Sequence, residues 1–309
     1  MSSIKRGIYY LLHNRAQFCD SIVKNFLVFL PDKLYLSLRY RCIMGKWIDW
    51  KDPKTFTEKM QWLKIYDYKP EYTQMVDKLA VKDYVAARIG DEFIIPTLGV
   101  WNRVEDIDWE SLPEQFVLKT THGGGGCGVV VCPDKATFDK DKATKKLEVS
   151  MQSNSGLTYR EKPYLNVPRK IIAEKFMVGN KVDNSSQKTD LPDYKFFCFN
   201  GKVRFFKIDF GRFIEHHANY YSINGELLPF GEKGLEPDPN HIEIMPNNLK
   251  DMISIAECLS EGFKFLRVDL YNVNGKIYFG ELTFYPAAGL LPFVPKEWDG
   301  KLGNLLTLN

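Results

Sequence analysis

Two carboxylates twelve residues apart, Asp269 and Glu281, set the first constraint on what this 309-residue chain does. Asp269 lies near the end of an apolar run, FLRVDLY, and Glu281 near the end of a second, KIYFGEL, with Asn272-Val273-Asn274-Gly275 read as the turn between them. Such a hairpin makes the two carboxylates face each other at the ends of adjacent strands. Paired hard oxygen donors suit a hard divalent cation that fills its other positions with water and phosphate. Arg267 stands two positions before Asp269 and so points to the same face, which can then hold metal and phosphate together. A surface hairpin with solvated charges would carry the same residues, so other segments must decide.

The segment FVLKTTHGGGGCGVVVC, residues 116–132, reads as a strand, a loop with Gly123, Gly124, Gly125 and Gly126 in succession, and a second strand. Without Cβ atoms, backbone N–H groups can wrap closely around phosphate oxygens, and Lys119 adds positive charge beside them. A strand follows the glycines, which argues against a Walker loop or a dinucleotide fingerprint, since both need a helix N-terminus there. A floppy hairpin tip is the alternative, but ordering each glycine costs about 1 kcal/mol and is hard to justify without a ligand.

Glu174 and Lys175 end another apolar run, KIIAEKF, where they are either a solvated edge or a source of backbone groups and a carboxylate for an adenine amino group. Residues 193–212 form a hairpin about Asn200-Gly201 whose Lys195, Arg204 and Lys207 read as outward charges on a wet face.

Positioning these residues requires helices and then strands. Apolar residues at helical spacing fill residues 1–45, a helix capped at Thr57 follows, and residues 74–89 read as one more helix. A short strand at 93–95 is stopped by Pro96. Strands are predicted at 116–121, 128–132, 170–176, 194–199, 203–210, 265–271 and 276–282, interrupted by helices at 139–152 and 249–261, with a polar linker at 180–192. The fold class is therefore α+β rather than a βαβ repeat.

With 44% hydrophobic and 14% aromatic residues the chain can form a substantial core. A net charge of +3 without a long basic, aromatic-interleaved run speaks against nucleic acid as a partner. Residues 1–60 are more basic, with 11 Lys and Arg against 5 Asp and Glu. The six cysteines are scattered, no signal peptide is recognised, and the apolar run at 26–30 is far shorter than the roughly 20 residues that span a bilayer. Cytoplasmic residence with reduced thiols is the expectation.

Five segments, in order, resemble the ATP-grasp superfamily: DKLAVKDYV (77–85), PEQFVLKTTHGGGG (113–126), DYKFFCFNG (193–201), RVDLY (267–271) and GELTFYPAAG (280–289). The pattern is most similar to the branch related to the TupA protein of teichuronopeptide synthesis, often described as polysaccharide biosynthesis or glycosyltransferase-like. The resemblance implies two α+β lobes holding ATP between them, preceded by a helical N-terminal region. Its expected divisions are 1–70, 71–115, 116–180 and 181–309. It implies nucleotide contacts from Lys119, the loop of Gly123 to Gly126 as a lid, Glu174 as the start of an adenine-binding hinge, and Lys175 and Lys195. Arg267 becomes a phosphate ligand, catalytic together with Lys119, and Asp269 and Glu281 become Mg2+ ligands. Where the superfamily commonly has Asn two residues after the second carboxylate, this chain has Thr283, whose hydroxyl can still accept a metal or its water.

The implied reaction is ATP-dependent ligation of a carboxylate to an amine through an acylphosphate, on a uronic-acid-containing surface polysaccharide or its precursor. Arg204, Lys207, Arg212, His216, His217 and Tyr220 are the candidate acceptor residues, since they cluster cationic and aromatic groups suited to a carboxylated sugar. Paired histidines are also compatible with a metal fragment or plain surface. The basic first 60 residues suggest docking on the cytoplasmic face of a membrane, although an N-terminal helical lobe packed on the core explains the same apolar positions. A glycosyltransferase, which would use a sugar nucleotide, and a non-catalytic nucleotide-binding module are the competing readings.

Overall fold

The computed structural model describes residues 14–177, 191–210, 216–235, 237–241 and 243–308. Helices open the chain: α1 (Arg15–Phe26), capped by the Asn14 side chain, α2 (Asp32–Met44), ended by Gly45 in the left-handed conformation, and α3 (Phe56–Tyr66). Thr55, not Thr57, caps α3, through a capping box with Glu58. Thr57 is used otherwise. Its N–H and hydroxyl donate to Asp299 at 2.9 and 2.6 Å, tying α3 to the C-terminal helix.

The helix expected over 74–89 is divided into α4 (Tyr72–Val76) and α5 (Val81–Ile89). Asp77 Oδ1 accepts the N–H groups of Leu79 and Ala80, which turns the chain between them. No strand forms at 93–95: a 3-10 turn (Asp91–Phe93) ends at Phe93, and the paired strand begins only after Pro96, as β1 (Thr97–Trp101). β2 (Phe116–Thr120), β3 (Val129–Cys132) and β4 (Ile171–Lys175) join it in an antiparallel sheet of order β1-β4-β2-β3. α6 (Lys140–Gln152) covers this sheet with Ala143 and Leu147 against Phe116, Leu118 and Val130, and α7 (Ser155–Tyr159) follows.

The second sheet holds β5 (Asp193–Phe199), β6 (Lys202–Phe210) and β7 (His217–Ser222), and after a short β8 (Gly231–Glu232) and α8 (Leu249–Ser260) the hairpin of β9 (Phe265–Val273) and β10 (Lys276–Thr283). Its order is β10-β9-β5-β6-β7, all antiparallel. β11 (Phe293–Val294), paired with β8, and α9 (Glu297–Leu305) end the chain. One sheet face packs Phe196, Phe206, Leu266 and Val268 into a core with Met252, Ala256 and Leu259 of α8. The opposite face carries charge, as strand alternation requires. It is not wet, however: Lys195 and Lys207 are only 8% and 7% exposed. Segment 286–293 and the start of α3 cover it, and neither is visible from the strand pattern.

Candidate active site

The β9–β10 hairpin turns at Asn274-Gly275, both at positive φ (56° and 81°), so the strands run further than the sequence suggested and Asp269 and Glu281 lie within them. From Lys276↔Val273 to Phe279↔Leu270 the pairing is regular; then Gly280 is skipped and Glu281 pairs with Asp269. This bulge is decisive, because side chains alternate and an unbroken register would place Glu281 opposite Val268, on the other face. A Cβ at position 280 would sit 3.0 Å from the Asp269 carbonyl oxygen, so glycine suits the close approach.

Strand register extends the pair into a lateral row. Glu281, Asp269, Lys195, Lys207 and Tyr220 are successive Cα partners across β10, β9, β5, β6 and β7. Arg267, one pleat along from Asp269, donates to both of its carboxylate oxygens at 2.7 Å and to Glu281 Oε1 at 2.8 Å. Thr283 donates to the same Glu281 oxygen at 3.2 Å. Lys195 is held by Asp193 and by Asp209 at 2.8 Å, and Lys207 by Glu232 at 2.9 Å.

Desolvation is the largest influence on Asp269, Glu281 and Lys195. It pushes the Asp269 carboxyl above its usual range despite Arg267 and Lys195, with Asp193 and Glu281 adding to the rise. Glu281, partly open to the cleft, is only partly desolvated, and Arg267 and Lys78 together hold its carboxyl low. Burial disfavours the Lys195 ammonium, but Asp193, Asp269 and Asp209 more than compensate and raise its pKa.

The first sheet supplies the facing half. Glu174 is 5% exposed and bridges Lys119 and Lys82, each at 2.6 Å. Burial opposes its charge, but the two lysines win and depress its pKa. The carboxylate expected to meet an adenine amino group is thus engaged by two ammonium groups, which concentrates cations beside the glycine loop. Lys78 donates its ammonium to the Gly123 carbonyl and its N–H to the Thr121 carbonyl at 3.1 Å, so the segment after α4 grips the end of β2. Burial lowers the Lys78 pKa, Glu281 opposes that, and Lys119 reinforces it. Lys78 therefore senses both halves of the cleft.

Within the loop the glycines differ. Gly125 and Gly126 have φ of 59° and 77°; a Cβ on Gly123 would fall 2.5 Å from the Cys127 carbonyl oxygen; at Gly124 it would meet open space. Lys175 is exposed at the end of β4, beyond the lysine-bridged carboxylate.

Of the acceptor candidates, Lys207 and Tyr220 join the row. His216 Nε2 lies 3.0 Å from Asp209 at its rim. His217 stacks on Phe210 with centroids 5.7 Å apart, so the two histidines do not converge. Arg204 is the unpaired residue of a bulge in β6, between Val203 and Phe205, and is exposed. Arg212 lies outside the described residues. Lys78, Lys82, Asp193, Asp209 and Glu232 were missed. The i,i+4 lysines of DKLAVKDYV and the two-residue spacings Asp193/Lys195 and Lys207/Asp209 were available signals; for Glu232 there was none.

The family described as TupA-like ATP-grasp matches residues 58–307, most of the chain. The chain belongs to this family. Solved structures with a similar fold include D-alanine–D-alanine ligase from Bacillus anthracis complexed with ATP (15% identity, TM-score 0.38, 68% of this chain and 53% of that one). N5-carboxyaminoimidazole synthetase from Staphylococcus aureus complexed with ADP is another (16%, TM-score 0.42, 72% and 50%). A third is a RimK domain ATP-grasp protein from Sphaerobacter thermophilus (12%, TM-score 0.40, 76% and 69%). This TupA-like chain spans about half the length of the first two. No curated protein matches it in sequence.

Magnesium fits the donor set on chemical grounds. Asp269, Glu281 and Thr283 offer only oxygen, and the Glu281 side chain keeps 44% of its surface open. Among the described residues no cluster of three or more His, Cys, Asp or Glu forms a complete cage. An ion here would draw on phosphate and water, as Mg2+ does.

Proposed function

We propose that this TupA-like ATP-grasp chain is an ATP-dependent carboxylate–amine ligase acting through an acylphosphate on a uronic-acid-containing surface polysaccharide or its precursor. The observation that carries the reading is the row from Glu281 to Tyr220 with Arg267 beside it, set against a glycine loop flanked by Lys78, Lys82 and Lys119. A substrate carboxylate oxygen attacks the γ-phosphorus of ATP, and ADP leaves with the bonding pair. The amine nitrogen then attacks the acyl carbon, and the C–O bond to phosphate breaks.

Lys119 and Arg267 meet the charge that spreads over the transferring phosphoryl oxygens. Asp269, Glu281 and Thr283 would hold Mg2+, which supplies positive charge to the same oxygens when bound. The glycine loop serves as a lid that keeps water from the acylphosphate. The sugar acid rests on the family's association with polysaccharide synthesis. Residence in the cytoplasm with attachment to the inner membrane face through residues 1–60 belongs to the same reading. Among the described residues no helix is long and apolar enough to cross a membrane.

Phosphate release, measured with a panel of uronic-acid glycans and amines, is the test. Turnover that requires ATP, a glycan and an amine together supports the ligase; transfer from a sugar nucleotide without ATP hydrolysis would replace it with a glycosyltransferase.

A further inference from the structure

A cavity of about 70 Å3 lies on the charged face of the second sheet, next to Arg267. Lys207, Tyr220 and Glu232 form its polar side, and Phe197, Phe293 and the turn Pro286–Gly289 complete the wall. On the polar side, Glu232 Oε1 accepts from Lys207 at 2.9 Å and from the Tyr220 hydroxyl, so both bonds end on one oxygen.

The turn is costly to build. Ala287, Ala288 and Gly289 all have left-handed φ, 48°, 57° and 63°, and each alanine there costs about 1–2 kcal/mol. Two buried side chains of α3 hold it. Gln61 donates to the carbonyls of Ala288 (3.1 Å) and Gly289 (2.7 Å), and Lys64 to that of Ala288 (2.7 Å). A Cβ on Gly289 would lie 2.5 Å from Met60 Cβ, so the turn packs against α3 too closely for a side chain at this position. Strain maintained by buried polar groups marks a wall whose position matters.

We propose that this cavity seats the amine substrate, a small primary amine of about glycine size, with its ammonium on Glu232 and its nitrogen directed at an acylphosphate beside Arg267. The inference rests on the ligase reading and specifies its second substrate. Size favours an amine over the carboxylated sugar: an apolar cavity of about 150 Å3 takes up one benzene, so roughly half that volume suits an amine of a few heavy atoms better than a sugar ring. Lys207 and Tyr220, expected from sequence to meet the sugar, position the Glu232 carboxylate instead. Proton balance follows. The ammonium gives one proton to Glu232 to become nucleophilic; nitrogen bonds to the acyl carbon; the C–O bond to phosphate breaks with its electron pair on the phosphate, which takes the second nitrogen proton and leaves as hydrogen phosphate.

The test is steady-state phosphate release by the full chain at saturating ATP and uronic-acid glycan, with glycine, alanine, glutamate and glycylglycine as amine probes. Glycine is expected to be the best of these. Glu232→Gln should raise the glycine KM more than 10-fold while the ATP KM stays the same, and Leu291→Phe, which reduces the cavity from its lining, should penalise alanine more than glycine. An unchanged glycine KM in Glu232→Gln, or equal turnover of glycylglycine and glycine, overturns the placement and leaves the ligase reading standing. Should Glu232→Gln fail to fold, an unaltered alanine-to-glycine ratio in Leu291→Phe overturns it equally. Failure of every glycan–amine pair to elicit ATP-dependent release removes the ligase reading and this one with it.

Discussion

Gly280 determines which face of the sheet Glu281 occupies, and the consequence is measurable. Glu281 is open to the cleft, whereas Asp269 is 2% exposed and doubly bonded to Arg267. The two carboxylates therefore differ in what else they support. Glu281→Gln is expected to reduce ATP turnover by about 100-fold or more, of the order seen for lost charge-stabilising groups, and to lower Tm slightly near neutrality, because Arg267 and Lys78 hold its carboxyl low in the folded state. Asp269→Asn should lose turnover to the same extent and lower Tm further, because the buried Arg267 guanidinium keeps Glu281 but loses the more buried of its two charge partners. Full turnover of either variant at saturating magnesium would overturn the site. The sequence allowed Arg267 and Asp269 to be placed on one face by a two-residue period, and Glu281 opposite them by the hairpin. Burial of Asp269, Lys195 and Lys207 was not legible, since a charged strand face reads as solvated until the covering segments, far away in sequence, are known.

The β2–loop–β3 element was readable as a unit because its glycine run is local, but the function of each glycine depends on neighbours the run does not show. Gly124 has neither a positive φ nor a nearby atom, so Gly124→Ala should be nearly silent. Gly124→Pro removes a backbone freedom that closure of the loop over phosphate needs, and kcat should fall while the ATP Kd is retained. Stopped-flow and equilibrium binding of ATP separate the two, and an unchanged kcat would make the run a spacer. Lys119→Ala should weaken ATP binding about 10-fold, the scale of one charge-assisted contact. Its partner Glu174 sets a pH dependence. The folded pKa is depressed below the ordinary 4.5 by Lys119 and Lys82 against the effect of burial, so the stabilisation is present above 4.5 and is lost as pH falls through the folded value. The Tm gap between wild type and Glu174→Gln should be widest near neutrality and close below pH 4.5; a gap independent of pH would show that the bridge is not the cause. These lysines come from α5, the segment before it and β2, which explains why a strand-by-strand reading found only Lys119.

On the scale of the whole molecule, the order of family segments was visible in the sequence, but the seating of the N-terminal helices was not, because their apolar residues serve two purposes. Val23, Tyr35 and Leu36 pack inward, whereas Phe26 and Phe29 are 70% and 76% exposed at the α1–α2 junction. That junction is held rigidly. Arg160 donates to the carbonyls of Val28 and Leu30, the latter at 3.2 Å, pairs with Asp32 at 3.0 Å and lies over the Tyr35 ring. Two exposed rings fixed on a basic segment have the composition of a surface that inserts at a lipid interface. Anionic lipid attracts each nearby Lys or Arg by about 1 kcal/mol, but Lys24, Arg39, Lys46 and Lys54 are already paired with acids, so charge alone contributes only part. Flotation with anionic vesicles is therefore expected to show binding that weakens with salt and weakens further in a Phe26→Ala, Phe29→Ala double variant. If the protein stays unbound at low salt, the helices have a structural purpose alone and the exposed rings await a different surface.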